Sequence, residues 1–386
     1  KEVFERLTKG VSVANTLNFA LPKILESVET YRDGHRFYHW PLEFPDVFGP
    51  DAVGGFSATV GNPPWDFVKI NSQEFFSAYD TDFRKYSKPQ AKKTAEELMS
   101  RNPSVGSNWT SYCDAYERLG KYFREPQAYS AVGKGHVNTF KLFMEQFFAL
   151  LRDDGQMGIV VPSGIYTDQG CTALRERFFK QSRIDFLYCF ENRRGVFNIH
   201  RMFKFVLFGT QKGGQTDRFK CVFMEHDPDR LSSIDANALF ITSSNIEKFS
   251  PDSLSIMEFG NQKEIDIASK LYGQHPFLGK YLKDGWDTGF QREFNITDDS
   301  DLFMAREEIQ ESDPLPLLEG KQIWIFTNEF SEPTNWVSRS DAAIKPTTNT
   351  TRLTYRALAS NTNERTFIPT VIPALFPTGH SLNVCP

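Results

Sequence analysis

Residues 56–65 read Phe56-Ser57-Ala58-Thr59-Val60-Gly61-Asn62-Pro63-Pro64-Trp65, an apolar run followed directly by a proline-containing tetrad. The run 56–61 predicts a β-strand, and the tetrad of residues 62–65 begins where that strand ends. The two prolines fix φ near about −65°, and Pro63 biases Asn62 toward an extended conformation. Because ligands of open α/β sheets bind at the carboxyl ends of strands, the stretch predicts a few fixed groups presented at the edge of a sheet.

The groups of the tetrad suit the exocyclic amine of a nucleobase. Such an amine is a poor nucleophile because its lone pair is delocalised into the ring, and two acceptors on its two N–H groups would free that lone pair. The Asn62 side-chain oxygen and the Pro63 main-chain carbonyl are the candidate acceptors, and Trp65 offers a flat face on which an extruded base can stack. The competing interpretation is an ordinary Pro-Pro turn with a surface tryptophan.

Helical and strand-like patterns alternate further along the chain. Loosely periodic apolar positions predict a helix over 1–30, and clearer helical spacing returns at 137–151 and 171–180. Short apolar runs typical of buried strands separate or follow these helices, at 157–161, 184–190 and 203–209. This order predicts an α/β fold built on a doubly wound, mostly parallel sheet.

Length and composition predict two domains. The chain has 386 residues, and it becomes richer in Asn, Thr, Ser and Pro after the polar, glycine-containing stretch 211–215. We therefore divide it into residues 1–215 and 216–386 and expect the second part to be α+β. Since the net charge is −5, any binding to nucleic acid must come from local basic patches rather than from the overall field.

Other kinds of site find little support. The five cysteines form no C-x-x-C pair, which predicts reduced thiols without a zinc site or a disulfide framework. His35 and His39 have helical i, i+4 spacing in a non-helical context and lack a third ligand, so we expect no bound metal. Without a signal peptide or a membrane-spanning stretch, we expect a cytoplasmic protein with no membrane partner. The chain does not begin with Met, and we expect it to be a piece of a larger polypeptide.

Residues 66–136 form a long segment with weak periodicity, interleaved aromatic residues and a basic cluster. The segment is open to two interpretations: a solvated insertion, or a flexible loop region that follows DNA phosphates near the site. Under the second interpretation the DNA-binding residues are Arg84, Lys85, Lys88, Lys92 and Lys93.

The tetrad and the segments after it resemble a known family. Read as (Asn/Asp/Ser)-Pro-Pro-aromatic, the tetrad is similar to motif IV of the methyltransferases that modify adenine N6 in DNA. Residues 36–210 resemble the catalytic domain of the gamma-order enzymes, in particular the single-chain methylases of type IIG restriction–modification systems and their phage-defence relatives. The helix from His136, the strand ending in Pro162 and the loop Gly195-Val196-Phe197 before a hairpin strand match the family's order of elements.

This resemblance implies roles for particular residues. Asn62, Pro63, Pro64 and Trp65 would form the catalytic segment, and Phe197 would pack against the flipped adenine from the side opposite the tetrad. The sheet would be a Rossmann-like methyltransferase sheet, of which residues 1–215 hold only a part, from motif IV to motif VIII. Residues 313–380 are similar to a segment near the type IIG target-recognition domain, so residues 216–386 are expected to recognise DNA, with contacts from Arg292, Lys321, Arg352 and Arg356.

The methyl donor implied by the resemblance is S-adenosylmethionine. Its main binding motif, Phe-x-Gly-x-Gly, is not found in this sequence, and in the gamma order it precedes motif IV, so we expect it upstream of Lys1. Glu43 or Asp46, shortly before the strand 56–61, is the position that would match the family's contact to the cofactor's adenine.

The expected function is therefore site-specific methylation of adenine N6 in DNA, in restriction–modification or phage defence. The target base would be flipped out of the duplex, and N6 would attack the methyl carbon of the sulfonium directly. The expected partners are double-stranded DNA and a nuclease module, either upstream or on a separate subunit. The alternative is a non-catalytic DNA-recognition or defence-complex subunit that retains the methylase fold. A third reading, an RNA or protein glutamine methylase, agrees less well with the basic insertion and the recognition-like C-terminal part.

Overall fold

The computed structural model describes residues 38–49, 52–132, 135–275, 277, 289–296, 298–305, 314–327, 330–360 and 362–385. The helix predicted over 1–30 and His35 lie outside the described residues. The chain divides into two compact units, with the division between Leu271 and Tyr272.

The first unit alternates helices and strands as the sequence predicts. In chain order these are α1 (Trp40–Glu43), α2 (Pro45–Phe48), β1 (Phe56–Gly61), α3 (Ser72–Phe76), α4 (Lys88–Arg101), α5 (Pro103–Tyr122), α6 (Thr139–Leu150), β2 (Leu151–Pro162), α7 (Gly164–Thr167), α8 (Thr172–Gln181), β3 (Ser182–Glu191), β4 (Lys204–Lys212), β5 (Arg218–Glu225), β6 (Leu239–Thr242), α9 (Ser243–Phe249) and α10 (Gln262–Gln274). The predicted helices 137–151 and 171–180 correspond to α6 and α8. The three predicted strands correspond to β2, β3 and β4, so the α/β class is confirmed.

The sheet is mixed rather than mostly parallel. Its strand order is β1-β2-β4-β3-β5-β6. The pairs β1–β2 and β3–β5 are parallel, whereas β2–β4, β3–β4 and β5–β6 are antiparallel. The prediction of a mostly parallel sheet is therefore wrong. The reason is the connection 192–203, which contains one short 3-10 turn, Asn192–Arg194, and no crossover helix of the kind that joins parallel neighbours. Strand β4 therefore returns antiparallel and inserts between β2 and β3.

The two faces of this sheet are packed differently. On one face, Phe178 of α8 packs edge-on against Phe148 of α6, with ring centroids 5.4 Å apart, and at a tilt against Phe208 of β4, at 5.1 Å. On the other face a second cluster of buried side chains includes Phe190 and Phe205, and Trp65 packs against it. The tetrad thus lies beside the face that α6 and α8 leave free.

The described residues of segment 66–136 are largely helical rather than a flexible loop, and the expectation that the segment follows DNA phosphates stays a prediction. Helices α3, α4 and α5 occupy much of it, around a small core in which Phe76 and Phe83 are 1% exposed. Asn102 accepts a hydrogen bond from the Ser104 amide, and Pro103 lies in the first turn, so together they start α5 as an N-cap and a helix-initiating proline do.

The first unit continues beyond residue 215, where composition placed the boundary. Strands β5 and β6 lie after that position and belong to the same sheet as β1–β4. Gly213 and Gly214 have φ values of +97° and +74°, which favour glycine, and they turn the chain between β4 and β5. A polar stretch with two glycines is typical of a linker and of a tight turn alike, and here it is the turn.

The second unit is built mainly from short strands in its described residues. They are β7 (Leu315–Leu317), β8 (Asn335–Val337), β9 (Arg352–Arg356), β10 (Pro369–Ile372) and β11 (Leu382–Cys385), with the helix α11 (Arg339–Ala343). Strand β9 is the centre of an antiparallel three-stranded sheet, and β7 pairs with β8.

Packing of the sheet predicts unequal costs for two paired glycines. Gly209 of β4 lies opposite Gly158 of β2, yet a Cβ on Gly209 would lie 2.3 Å from the Phe186 ring, whereas one on Gly158 meets nothing within 4 Å. Gly209→Ala should lower the free energy of unfolding by about 1–3 kcal/mol through overpacking. Gly158→Ala, the matched control, should stay within about 0.5 kcal/mol of the unsubstituted chain. Urea denaturation midpoints measure both, and equal costs would contradict the packing described here.

Candidate functional site

The tetrad lies at the carboxyl end of β1, as predicted. Strand β1 ends at Gly61, which pairs with Ile159 of β2. Asn62 and Pro64 are exposed, Pro63 is buried, and Trp65 is half-buried. The exposed Asn62 amide is therefore accessible to a ligand at the strand end.

Asn138 and Thr139, at the start of α6, bond to the second half of the tetrad, Pro64 and Trp65. Thr139 Oγ1 lies 2.6 Å from the Pro64 carbonyl oxygen, and Asn138 Nδ2 donates to the Trp65 carbonyl at 3.1 Å. The Asp66 amide donates to Thr139 Oγ1 at 3.1 Å. Among the described residues, no hydrogen bond engages the Asn62 side chain or the Pro63 carbonyl. The two predicted acceptors are thus the ones left without protein partners.

The Trp65 ring is held by a hydrogen bond at its edge and by an aromatic contact on one face. Its indole Nε1 donates to the Val160 carbonyl at 3.3 Å. The Phe203 ring lies nearly parallel to it, at 9°, with centroids 5.8 Å apart, and Phe197 meets it edge-on at 5.1 Å. The structure therefore brings Trp65 and Phe197 together, and the role of Phe197 at a flipped base stays a prediction.

Phe203 is a residue that the sequence reasoning did not select. It lies directly before β4 and reads as the first residue of an apolar strand. In the structure it is 39% exposed and lines, with Trp65, a cavity of about 480 Å³. Polar groups on the wall of this cavity come from His136, Lys141, Ser163 and Asp168.

A buried asparagine shapes the loop that carries Phe197. Asn192 is fully buried, accepts a hydrogen bond from the Phe197 amide at 3.0 Å, and donates to the carbonyls of Phe197 and Ile199 at 2.9 and 3.2 Å. Gly195, with φ of +70°, makes the turn between them. This pattern of side-chain bonds to the loop backbone holds Phe197 against Trp65 and Phe205.

The Lys141 ammonium in the cavity wall is engaged by backbone carbonyls. Lys141 is 5% exposed, and its Nζ donates to the carbonyls of Val132 and Gly170 at 3.2 Å each. Burial raises the pKa of the neighbouring Cys171 thiol to about 11, although Lys141 and Arg175 oppose the shift. Cys171 is therefore a protonated thiol at neutral pH and a poor nucleophile.

Glu43 and Asp46 are not brought to the tetrad. They lie in α1 and α2, and the neighbouring Phe44 and Phe48 pack edge-on against Phe56 at the amino end of β1. A strand of this length spans roughly 17–20 Å, and the tetrad follows its other end. The assignment of Glu43 or Asp46 to the cofactor stays a prediction that position does not support.

The basic cluster of the insertion contains two kinds of residue. Lys85 forms an exposed ion pair with Asp82 at 2.7 Å. Lys88 and Lys92, one turn apart on α4, have no acidic partner among the described residues and line a groove of about 670 Å³. Arg84 and Lys93 are exposed as well.

The basic residues of the second unit differ from one another in their exposure and in the groups they contact. Arg292 is exposed, and Lys321 pairs with Glu319 at 2.9 Å. Arg356 donates to the Ile323 carbonyl, and its guanidinium lies 5.2 Å from the centre of the Trp324 ring.

Arg352 is a structural residue rather than a DNA contact. Its side chain is fully buried, with Nη2 2.9 Å from Glu293 Oε2. Its Nε lies 2.8 Å from Glu293 Oε1 as an ion-pair contact rather than an aligned hydrogen bond. Glu293 also accepts from Thr347 and from both the amide and the hydroxyl of Thr378. The expectation that Arg352 contacts DNA is therefore corrected.

The described residues contain neither a metal-binding cluster nor a membrane-spanning helix. Across the described ranges, no three or more His, Cys, Asp or Glu side chains are grouped so that they could hold a metal ion. None of the helices in the described part of the chain is long and apolar enough to cross a membrane.

Comparison with known proteins supports the resemblance found in the sequence. The family model of the Eco57I restriction-modification methylase matches residues 115–197. This segment runs from α5 through β3 to Phe197 and includes Asn138 and Thr139, although not the tetrad. The predicted resemblance to restriction–modification methylases is confirmed over this segment. None of the curated proteins matches the chain.

Solved structures of restriction–modification enzymes resemble the chain weakly. The type IIL enzyme MmeI in complex with DNA is 11% identical, with 85% of this chain and 40% of that one covered and a TM-score of 0.43. The type IIG endonuclease BpuSI is 12% identical, with 85% and 41% covered and a TM-score of 0.33. The type I methyltransferase subunit from Streptococcus thermophilus is 14% identical, with 59% and 34% covered and a TM-score of 0.23. The chain spans 30%, 37% and 42% of the length of three type I structures. These scores are too low to carry an argument about fold or function.

The buried pair in the second unit predicts a large cost of substitution. Arg352→Ala leaves Glu293 buried without its cation, which should lower the free energy of unfolding of that unit by about 3–5 kcal/mol. Arg365→Ala, an exposed arginine of the same unit, is the control and should stay within about 0.5 kcal/mol. Chemical denaturation followed by tryptophan fluorescence checks both, and a small effect at Arg352 would show that its guanidinium is not buried.

Proposed function

We propose that the first unit carries the target-base site of a site-specific DNA methyltransferase that modifies adenine at N6, in restriction–modification or phage defence. One observation carries the proposal. At the carboxyl end of β1, the Asn62 amide and the Pro63 carbonyl lack protein partners, while the next two carbonyls are bonded to Thr139 and Asn138. An unpaired acceptor pair beside an aromatic face is what a primary aromatic amine on a flat base requires.

The proposed chemistry on the base side follows from these groups. An extruded adenine would stack on Trp65, and its N6 hydrogens would bond to Asn62 Oδ1 and the Pro63 carbonyl oxygen. Both bonds strengthen as N6 becomes tetrahedral, so they stabilise the transition state more than the bound base. Because these acceptors are held before the base arrives, little reorganisation is needed during the reaction.

The methyl donor implied by the resemblance is S-adenosylmethionine, which supplies an electrophilic methyl group. The candidate acids for this cofactor, Glu43 and Asp46, lie at the amino end of β1 rather than beside the tetrad. The proposal for this chain is therefore restricted to binding and activating the base.

DNA binding is proposed for two surfaces. In the insertion, Lys88 and Lys92 have the unpaired charge that phosphate contacts need. In the second unit, the exposed Arg292 is the remaining candidate for target recognition, together with Lys321, which forms an ion pair with Glu319. A nuclease module upstream or on a separate subunit remains part of this proposal.

Substitutions in the tetrad should separate chemistry from binding. Asn62→Ala should lower methyl transfer by at least about 100-fold in the full polypeptide, because a transition-state acceptor is lost. Trp65→Ala should instead weaken capture of the base by ~1–3 kcal/mol. Transfer of a tritiated methyl group to DNA and fluorescence anisotropy of labelled duplex measure the two effects.

The matched control is Asn237→Ala, an exposed asparagine of the same unit whose side chain makes no hydrogen bond with the described residues, and it should change neither quantity. Methyl transfer to DNA by Asn62→Ala at the unsubstituted rate would contradict the proposed chemistry. DNA binding without any transfer by the unsubstituted polypeptide would favour the non-catalytic alternative.

Charge removal in the insertion should act on the salt dependence of DNA binding. The pair Lys88→Gln and Lys92→Gln should weaken binding to every sequence and reduce the slope of log K against log salt by about 1–2, since each phosphate contact contributes about 0.9. Lys85→Gln is the control, because its charge is already paired with Asp82. Equal slopes for both variants would show that α4 does not contact DNA.

A further inference from the structure

The tetrad can be fixed only through its carbonyl groups and side chains. Pro63 and Pro64 have no N–H group, so two of the donors that would normally bond a strand end to its neighbours are missing. The side chains of Asn138 and Thr139, at the start of α6, supply donors to this segment instead. The Pro64 carbonyl lies 2.6 Å from Thr139 Oγ1, and the Trp65 carbonyl lies 3.1 Å from Asn138 Nδ2.

Thr139 bonds to the backbone on both sides of Trp65. A hydroxyl has one proton and two lone pairs, and the proton is best placed on the nearer acceptor, the Pro64 carbonyl. The same oxygen can then accept from the Asp66 amide at 3.1 Å. The Thr139 amide in turn donates to the Asp66 carbonyl at 2.9 Å. One side chain and its own amide thus set the backbone before and after the ring.

These two residues are themselves held rigidly. Asn138 is 5% exposed, and its Oδ1 accepts from the Phe140 amide at 3.2 Å, which caps α6. Phe140 is 3% exposed, so the first turn of α6 is anchored in the core. The Val68 amide also donates to the Val137 carbonyl at 2.8 Å, which ties the chain after the tetrad to the residue just before Asn138.

We propose that Thr139, with Asn138 beside it, is a positioning residue that presents Asn62 and Pro63 to the target amine. By occupying the carbonyls of Pro64 and Trp65, the pair fixes the tetrad and leaves the two preceding acceptors unoccupied. This role rests on the proposed function, because an adenine amine is the group that would take those acceptors. The hydrogen bonds themselves can be tested without DNA.

The first test follows Trp65 by fluorine NMR in the chain labelled with 5-fluorotryptophan. The chain has six tryptophans, and Trp65→Phe assigns the signal. Thr139→Val keeps the side-chain shape and removes the hydroxyl, so it should shift or broaden the Trp65 signal and leave the others in place. Thr139→Ser keeps the hydroxyl and should restore the original signal.

Two further variants keep the test decisive. Asn138→Asp retains the oxygen that caps α6 but loses the donor to Trp65, and it should move the Trp65 signal even if Thr139→Val does not fold. Thr242→Val removes a threonine cap from α9 and should leave the Trp65 signal unchanged. An unmoved Trp65 signal in Thr139→Val, or an equal change in Thr139→Ser, would overturn the positioning role.

The second test measures methylation of DNA by the full polypeptide. Thr139→Val should lower kcat by about 10- to 100-fold, with KM for DNA within about twofold, because misplaced acceptors affect the reaction more than the encounter. Thr139→Ser should recover most of that loss. An unchanged kcat in Thr139→Val would contradict the proposal. If the unsubstituted polypeptide transfers no methyl group to DNA, the proposed function fails, and the fluorine spectra still decide the positioning role.

Discussion

Two consecutive prolines at the end of a β-strand remove the hydrogen-bond donors that would otherwise fix that backbone, and the site depends on how this loss is met. The prolines also restrict the backbone of the segment, whose carbonyl groups remain available as acceptors. Donors from Asn138 and Thr139 engage two of those carbonyls, and the Trp65 indole is tied to the Val160 carbonyl on β2. What remains unbonded is the exposed Asn62 side-chain amide and the carbonyl of the buried Pro63. The chemistry of the site is therefore set by which acceptors the fold leaves free.

The antiparallel strand β4 supplies the rest of the site. Because it is inserted between β2 and β3, the residues just before it meet the carboxyl ends of both strands, with Phe205 opposite Pro162 on β2 and Phe190 on β3. Phe203 and the loop held by Asn192 are thereby placed beside Trp65. A parallel strand at this position would begin at the other end of the sheet and could not bring these aromatic rings to the tetrad.

Local patterns allowed part of this arrangement to be predicted. The strand 56–61, the tetrad, helix α6 and the three apolar strands have short-range signals, and the family resemblance pointed to Phe197. Phe203 and Thr139 were missed because their importance depends on pairing between segments far apart in the chain, which periodicity does not report. Arg352 was misjudged for the same reason, since its partner Glu293 lies 59 residues away. The helices of the insertion were underestimated because their small aromatic core gives only weak helical periodicity.

Nucleoside analysis of the product tests the central claim most directly. Unmethylated genomic DNA would be incubated with the full polypeptide and S-adenosylmethionine, digested to nucleosides and examined by mass spectrometry. If Asn62 and Pro63 hold the amine of an extruded adenine, N6-methyldeoxyadenosine should be the methylated nucleoside that accumulates. Accumulation of a methylated cytosine, or of no methylated nucleoside while the polypeptide is folded and bound to DNA, would contradict this account.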